Sequence, residues 1–269
     1  MKLKQLVKMS ALAPALLVLA STSQAQLAAP NAEGVSAGHT HLVVPDLAKH
    51  RAIWKSFGGV EKSSGTIQFL QFPGMDILFR EQAPTSPSGA TSANHIAFSV
   101  KSYADYKAKL EAAGATFVID NAETGQILAD LPDGVRIEFV LDAAQAEPIK
   151  FHHTHLSAVD QAGLRDWYVT VFGAEVGERA GMPSAVIPGG RVDVIAARGE
   201  APLPTLGAAI DHIGFEVTDM AAFAAKMEKL GITFSRPPER RDEINLTIAF
   251  IVDPVGTNIE ITEGLDDAK

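Results

Sequence analysis

The chain reads as an α+β fold built from four copies of one β-α-β-β-β unit. Three observations predict it. Four short strand-like segments carry histidine: GHTHLVV from residue 38, NHIAFSV from 94, HHTHLSAV from 152 and DHIGFEV from 211. Each leads into a polar cap residue, an amphipathic stretch and a glycine. After each glycine come short alternating apolar runs broken by proline and glycine, the pattern of strands and hairpins. A repeat of this kind settles the architecture before any single motif is weighed.

The elements follow in order. Helices are predicted from Asp46 to Phe57, Ser102 to Ala113, Asp160 to Phe172 and Asp219 to Leu230. Asp or Ser at each start can accept a hydrogen bond from a first-turn amide. Gly58, Gly114, Gly173 and Gly231 supply the stops. TIQFLQFPGMDILF (66–79) and IAFIVDPVGTNIEIT (248–262) alternate at strand spacing around Pro-Gly and Pro-x-Gly turns. APTSPSGATS (83–92) and PLPTLG (202–207) connect units one to two and three to four, and AAQAEP (143–148) marks a boundary between paired halves. The expected domains are therefore 36–142 and 150–264, two modules each. His39 and His153 are 114 residues apart, as are His41 and His155; the offset is 117 from His95 to His212 and 122 from Glu138 to Glu260. That slow growth is what loop insertions in a tandem duplication produce.

Residues 1–25 read as a secretory signal: Lys2, Lys4 and Lys8 precede an apolar run from about Ala11 to Ala20, and Ser23-Gln24-Ala25 offers a small-x-small cleavage site. A secreted or periplasmic protein is expected, with no membrane attachment after cleavage. The chain has no cysteine, so neither disulfides nor thiolate chemistry support it. Its formal net charge is −9, and loss of the leader's lysines makes it more acidic. Such a surface repels nucleic acid and anionic membranes and points to a small-molecule or metal partner.

The four units resemble the βαβββ modules of the vicinal oxygen chelate superfamily, which includes glyoxalase I, extradiol dioxygenases, methylmalonyl-CoA epimerase, and fosfomycin and bleomycin resistance proteins. The residues that carry the resemblance are His39-x6-Asp46, His153-x6-Asp160 and His212-x6-Asp219, with the hairpins LPDGVRIEF (131–139) and DPVGTNIEI (253–261). It covers about residues 36 to 264. It implies two cup-shaped mixed β-sheet domains, each made of two modules with a divalent metal inside. It implies, as ligands, His39, His95 and Glu138 in the N-terminal half and His153, His212 and Glu260 in the C-terminal half. The cofactor expected is Fe2+, Mn2+, Zn2+, Ni2+ or Co2+. The cups close either within one chain or by exchange in a homodimer.

Strand geometry supports this carry-over. Residues i and i+2 face one side, so His39 and His41 point together, as do His153 and His155, while His152 points away and should be dispensable. One histidine on a strand is ordinarily a core or half-exposed residue; seven of the eight in the first strands of four modules argue for a metal. Two imidazoles and a carboxylate suit first-row divalent ions, and with open positions they suit Fe(II) oxygen chemistry. His41 and His155 share the inner face as catalytic candidates or extra ligands. Asp193, in PGGRVDVI, is either a fourth ligand or base, or an exposed strand-end charge; Asp76, in PGMDILF, fits that register less well. The extradiol pattern fails in part, because Phe250 stands where that family has tyrosine. Trp54, Trp167 and Tyr168 are read as helix-to-sheet packing. The run Arg240-Arg241-Asp242-Glu243 is a solvated loop, or lies over a cup mouth.

The favoured expectation is a metal-dependent enzyme acting on a small substrate with adjacent oxygens, leaning to dioxygenase-like chemistry. A glyoxalase-like lyase or isomerase and a non-catalytic small-molecule or metal-binding protein are the alternatives. If only one half is catalytic, the C-terminal half is the candidate.

Overall fold

The computed structural model describes residues 27–197, 199 and 201–265. The proposed leader, residues 1–25, lies outside them. Four modules follow one another. The first is β1 (Val35–Val44), α1 (Leu47–Phe57), β2 (Val60–Ser64), β3 (Ile67–Phe72) and β4 (Met75–Glu81). The second is β5 (Ala93–Val100), α2 (Tyr103–Ala112), β6 (Thr116–Asn121), β7 (Gln126–Asp130) and β8 (Arg136–Leu141). The third is β9 (Ile149–Ala158), α3 (Gln161–Phe172), β10 (Glu175–Arg179), β11 (Met182–Ile187) and β12 (Gly190–Ala196). The fourth is β13 (Ile210–Val217), α4 (Met220–Leu230), β14 (Arg236–Arg241), β15 (Leu246–Val252) and β16 (Asn258–Glu263).

The helices begin where the caps require. Asp46, Ser102, Asp160 and Asp219 each accept from the backbone amide three residues on. Gly173 and Gly231 end their helices in the left-handed conformation, at φ 62° and 70°, which a Cβ would strain. Among the described residues no helix is long and apolar enough to cross a membrane.

The strands form two mixed eight-stranded sheets. One runs β14-β15-β16-β13-β1-β4-β3-β2, the other β10-β11-β12-β9-β5-β8-β7-β6. Module one therefore pairs with module four, and module two with module three. This departs from the expected halves: neither sheet divides the chain at 143–148, because each takes strands from both sides of that loop. The physical reason lies in the first strands. β1 pairs antiparallel with β13, and β5 with β9, so all four are interior and buried along almost their whole length. Both sheets are completed within one chain.

Alternation, interrupted at register shifts in the β1–β13 and β5–β9 pairs, splits the interior strands between two faces. Outward-facing residues of both sheets and all four helices share one core. Trp54 of α1 is fully buried between Phe72 of the first sheet and Phe98 of the second, with ring centroids 6.0 and 6.1 Å away. Phe172 of α3 stacks on Phe215 of β13 at 4.1 Å, so each of these helices ties its own module to the other sheet. The inner face of the first sheet carries a separate apolar cluster that includes Phe69, Leu78, Leu246 and Ile248. This sheet curls until its outer hairpins meet: Ser64 Oγ donates to Ile244 O at 2.6 Å, and Thr66 N to Glu243 O at 3.1 Å. Arg240 and Arg241, expected in a loop, end the edge strand β14, and Asp242–Ile244 form a short 3-10 turn.

Because Trp54 joins both sheets, Trp54→Ala should cost about 3–5 kcal/mol of stability. Urea unfolding followed by circular dichroism would check this; a loss below about 1 kcal/mol would mean that the indole does not hold the shared core.

Candidate metal centre

In the first sheet, cross-strand register gathers three donors. His41 lies opposite His212, and Glu260 lies beside Gly214 on the parallel neighbour β16. The β1 register shifts between Ala37 and Thr40, where the facing stretch of β13 spans Phe215 to Ile213. Such a bulge re-aims a side chain, and here it brings His39 over Gly214. A Cβ on Gly214 would stand 2.1–2.6 Å from the His39 ring, so only glycine accommodates the imidazole there. His39 Nε2 and His212 Nε2 both point at Glu260 Oε2, at 3.0 and 2.8 Å. The three residues are buried, and their donor atoms lie within 4.8 Å of one another.

The charge state follows from the hydrogen bonds. His212 donates from Nδ1 to Asp211 Oδ1 at 2.5 Å as well as from Nε2 to Glu260. Burial opposes a charged ring, yet these two carboxylates raise its pKa to about 9. Burial likewise opposes a charged Glu260, but His212 and His39 hold its carboxyl well below the usual range. His41 is pushed down to about 3, first by burial and then by His212 and His39, so its ring is neutral. It sits 4.7 Å from the His212 ring. His41 Nε2 and His39 Nδ1 are buried without a hydrogen-bond partner among the described residues.

This donor set fits a divalent cation. A buried carboxylate needs a positive counter-charge, which the His212 proton supplies; an ion held by His39, His212 and Glu260 would replace that proton. Asp211, behind His212, is the acceptor that keeps such a ligand oriented. Around the donors, Phe250 meets the His212 ring edge-on at 5.4 Å, and Asp76, fully buried, pairs with His39 in the β1–β4 register. Toward one end of the sheet a cavity of about 450 Å3 is lined by Ser36, Glu216, Arg240 and Asn245 among others. Arg240 thus borders a cavity, with its guanidinium paired to Asp242 and Asn245.

The second sheet repeats the arrangement with differences. His155 lies opposite His95, and Ala97 opposite both His153 and Glu138. His95 Nε2 and His153 Nε2 approach Glu138 Oε2 at 3.1 and 3.0 Å, and His155 Nδ1 approaches His95 Nε2 at 2.7 Å. Burial disfavours charge on Glu138, but His153 and His95 hold it far down; burial pushes His153 down to about 4 and His155 lower still. Gln126 Nε2 donates to Glu138 Oε1 at 2.6 Å.

The six residues proposed as ligands thus gather in two groups, but not in the expected ones: His39 joins His212 and Glu260, and His153 joins His95 and Glu138. Asp193 is not an exposed strand end. It is fully buried and ion-paired with Arg179. His152 is not indifferent either: its Nδ1 lies 2.6 Å from His153 Nδ1, since a register shift at this point of β9 breaks simple alternation. Three residues escaped the sequence reading: Gly214, Asp211 and Arg179. The first two stand in DHIGFEV, where NHIAFSV has Ala97 and Asn94, so comparing the repeats would have exposed them. Arg179 carries no motif.

Comparisons with known proteins agree with this architecture. Residues 150–261 match the Glyoxalase/Bleomycin resistance protein/Dioxygenase superfamily. The chain is similar in structure to glyoxalase I from Zea mays, at 15% identity and TM-score 0.64, over 87% of this chain and 94% of that one. It is similar also to a putative dioxygenase from Bacillus subtilis, at 14% identity and TM-score 0.61, over 89% and 86%. At these identities the likeness concerns the fold. No match is found among curated protein sequences.

Two outcomes follow from the first centre. Gly214→Ala should displace His39 and weaken Zn(II) binding by roughly 10- to 100-fold, the range for disturbed ligand orientation; titration calorimetry showing wild-type affinity would refute the crowding. The metal-free protein should also lose stability with rising pH. His212 is raised from about 6.5 in the unfolded chain to about 9. Its contribution is therefore full below about pH 6.5 and gone above about 9. Melting temperatures in chelator at pH 6, 7.5 and 9 should fall in that order, and a flat series would contradict the His212–Asp211–Glu260 bridge.

Proposed function

Starting from residues 150–261 as a member of the glyoxalase, bleomycin resistance protein and dioxygenase superfamily, and from a chain that has this fold throughout, we propose a divalent-metal-dependent enzyme. Its substrate is a small molecule with two adjacent oxygens, and its centre is His39, His212 and Glu260. The observation that carries the reading is the convergence of two buried imidazoles on one buried carboxylate oxygen, beside a third imidazole that stays neutral. A metal ion held there would act as a Lewis acid, stabilising enolate- or catecholate-like charge on the chelated oxygens.

The chain's own residues supply the rest. Asp211 fixes the tautomer and orientation of His212. His41 Nε2, buried and neutral, offers a lone pair that would accept a hydrogen bond from a substrate hydroxyl on the inner face and orient it. Phe250, Phe69 and Leu78 give an apolar wall that excludes water and favours a ring or alkyl body on the substrate. Two His and one Glu as the donor set support dioxygenase-like chemistry. Asp76, buried in register with His39, supports a lyase or isomerase as the second reading, with that carboxylate moving a proton. Export belongs to the proposal as well, supported by the basic-then-apolar composition of residues 1–25.

The test is oxygen uptake by Fe(II)-loaded protein over a panel of catechols. Turnover is expected that His212→Ala lowers at least ~100-fold, as for a lost ligand, and that His41→Ala lowers about 10- to 100-fold, as for a lost orienting hydrogen bond. Silence with every catechol, together with thiohemiacetal turnover or α-proton exchange lost in Asp76→Asn, would select the lyase or isomerase reading. Protein that takes up no divalent metal would refute both.

A further inference from the structure

We infer that the second sheet does not hold a second metal: Arg179 is its resident cation, and the chain carries one divalent ion. The guanidinium of Arg179, at the end of β10, reaches over the inner face. Its Nε donates to Asp193, and its Nη2 lies 3.0 Å from His153 Nε2 and 3.0 Å from His155 Nε2. His153 and His155 are two of the four residues grouped there. A permanent positive charge therefore lies against two of the rings that would hold an ion, since arginine does not lose its proton in proteins.

The guanidinium is held in place by design of the sheet. Asp193 lies opposite His155 in the β9–β12 register and is fully buried, so removing Arg179 from it would strand a buried carboxylate. A divalent ion on His153 and His155 would meet like charge beside it instead of open coordination positions.

The first sheet lacks this device. The matching position, the end of β2, is Ser64, whose hydroxyl turns to Ile244 O. Behind His212 stands Asp211, whereas behind His95 stands Asn94, its Oδ1 2.8 Å from His95 Nδ1. In the first sheet the arginine, Arg80, pairs with Asp211 Oδ2 behind His212 at 2.8 Å and leaves Glu260 to the imidazoles, whereas in the second the guanidinium lies against the donor rings themselves. The inference rests on reading the first sheet as the metal centre, and the experiment separates the two.

Untagged protein, reconstituted with Zn(II) and dialysed, is analysed for metal per chain. Wild type should carry one equivalent, His95→Ala one, and His212→Ala none. Arg179→Leu should rise toward two, while Arg179→Lys, which keeps the charge, should stay near one. Two equivalents in wild type, falling to one in His95→Ala, would overturn the inference and leave the first centre standing. No metal in wild type and one equivalent in Arg179→Leu would overturn the first centre while upholding the role of Arg179. If Arg179→Leu fails to fold, the contrast between His95→Ala and His212→Ala in the wild-type background decides the matter.

Discussion

The structure depends on the antiparallel pairing of module-opening strands, β1 with β13 and β5 with β9. These strands are buried on both faces and cannot stand at a sheet edge without leaving a row of apolar side chains and unpaired amides in water. Once they pair, the remaining order follows: β4 and β16 flank the first pair, β8 and β12 the second. The inner faces then receive every histidine of the HxH segments, and the outer faces share a core with the helices. Histidine faces histidine across both joints, His41 with His212 and His155 with His95.

That joint explains why two centres could diverge on one scaffold. Duplication supplies the same backbone twice, so a donor triad arises at each joint from register alone. What each triad does depends on which charges surround it, and in a buried site every charge must be matched. Asp211 against Asn94, Ser64 against Arg179 and Gly214 against Ala97 are single differences at matched positions. Together they give one inner face an imidazolium bridged between carboxylates and the other a fixed guanidinium.

The shapes of the two inner faces diverge with their charges. The first sheet curls until its outer hairpins touch through Ser64, Thr66, Glu243 and Ile244, enclosing an apolar wall beside the donors. In the second sheet the matching turn after β10 has open space around Gly181, and the polar Gln126, Arg179 and Asp193 take the place of that wall. An enclosed, apolar surround strengthens electrostatics at a centre and excludes water.

The repeat, the helix caps, the glycine stops and the strands that carry the histidines were all legible in the sequence, because each is written in local chemistry: a side chain that caps the amide three residues on, a glycine that tolerates positive φ, apolar residues at alternate positions. His39, His95, Glu138, His153, His212 and Glu260 could be named as a set because the resemblance to vicinal oxygen chelate modules implies ligands at those matching positions. Which of them meet could not be read. Partnership between β1 and β13 joins residues 168 to 182 positions apart, and nothing local distinguishes it from pairing with the adjacent module. Arg179 was invisible for a related reason: its role arises only when β10 is laid across β12 and β9, bringing its guanidinium to Asp193 and His153. The sequence determined the parts and the chemistry they carry; tertiary pairing, a balance of burial over the whole chain, decided which donors share a site and which of them already have a cation.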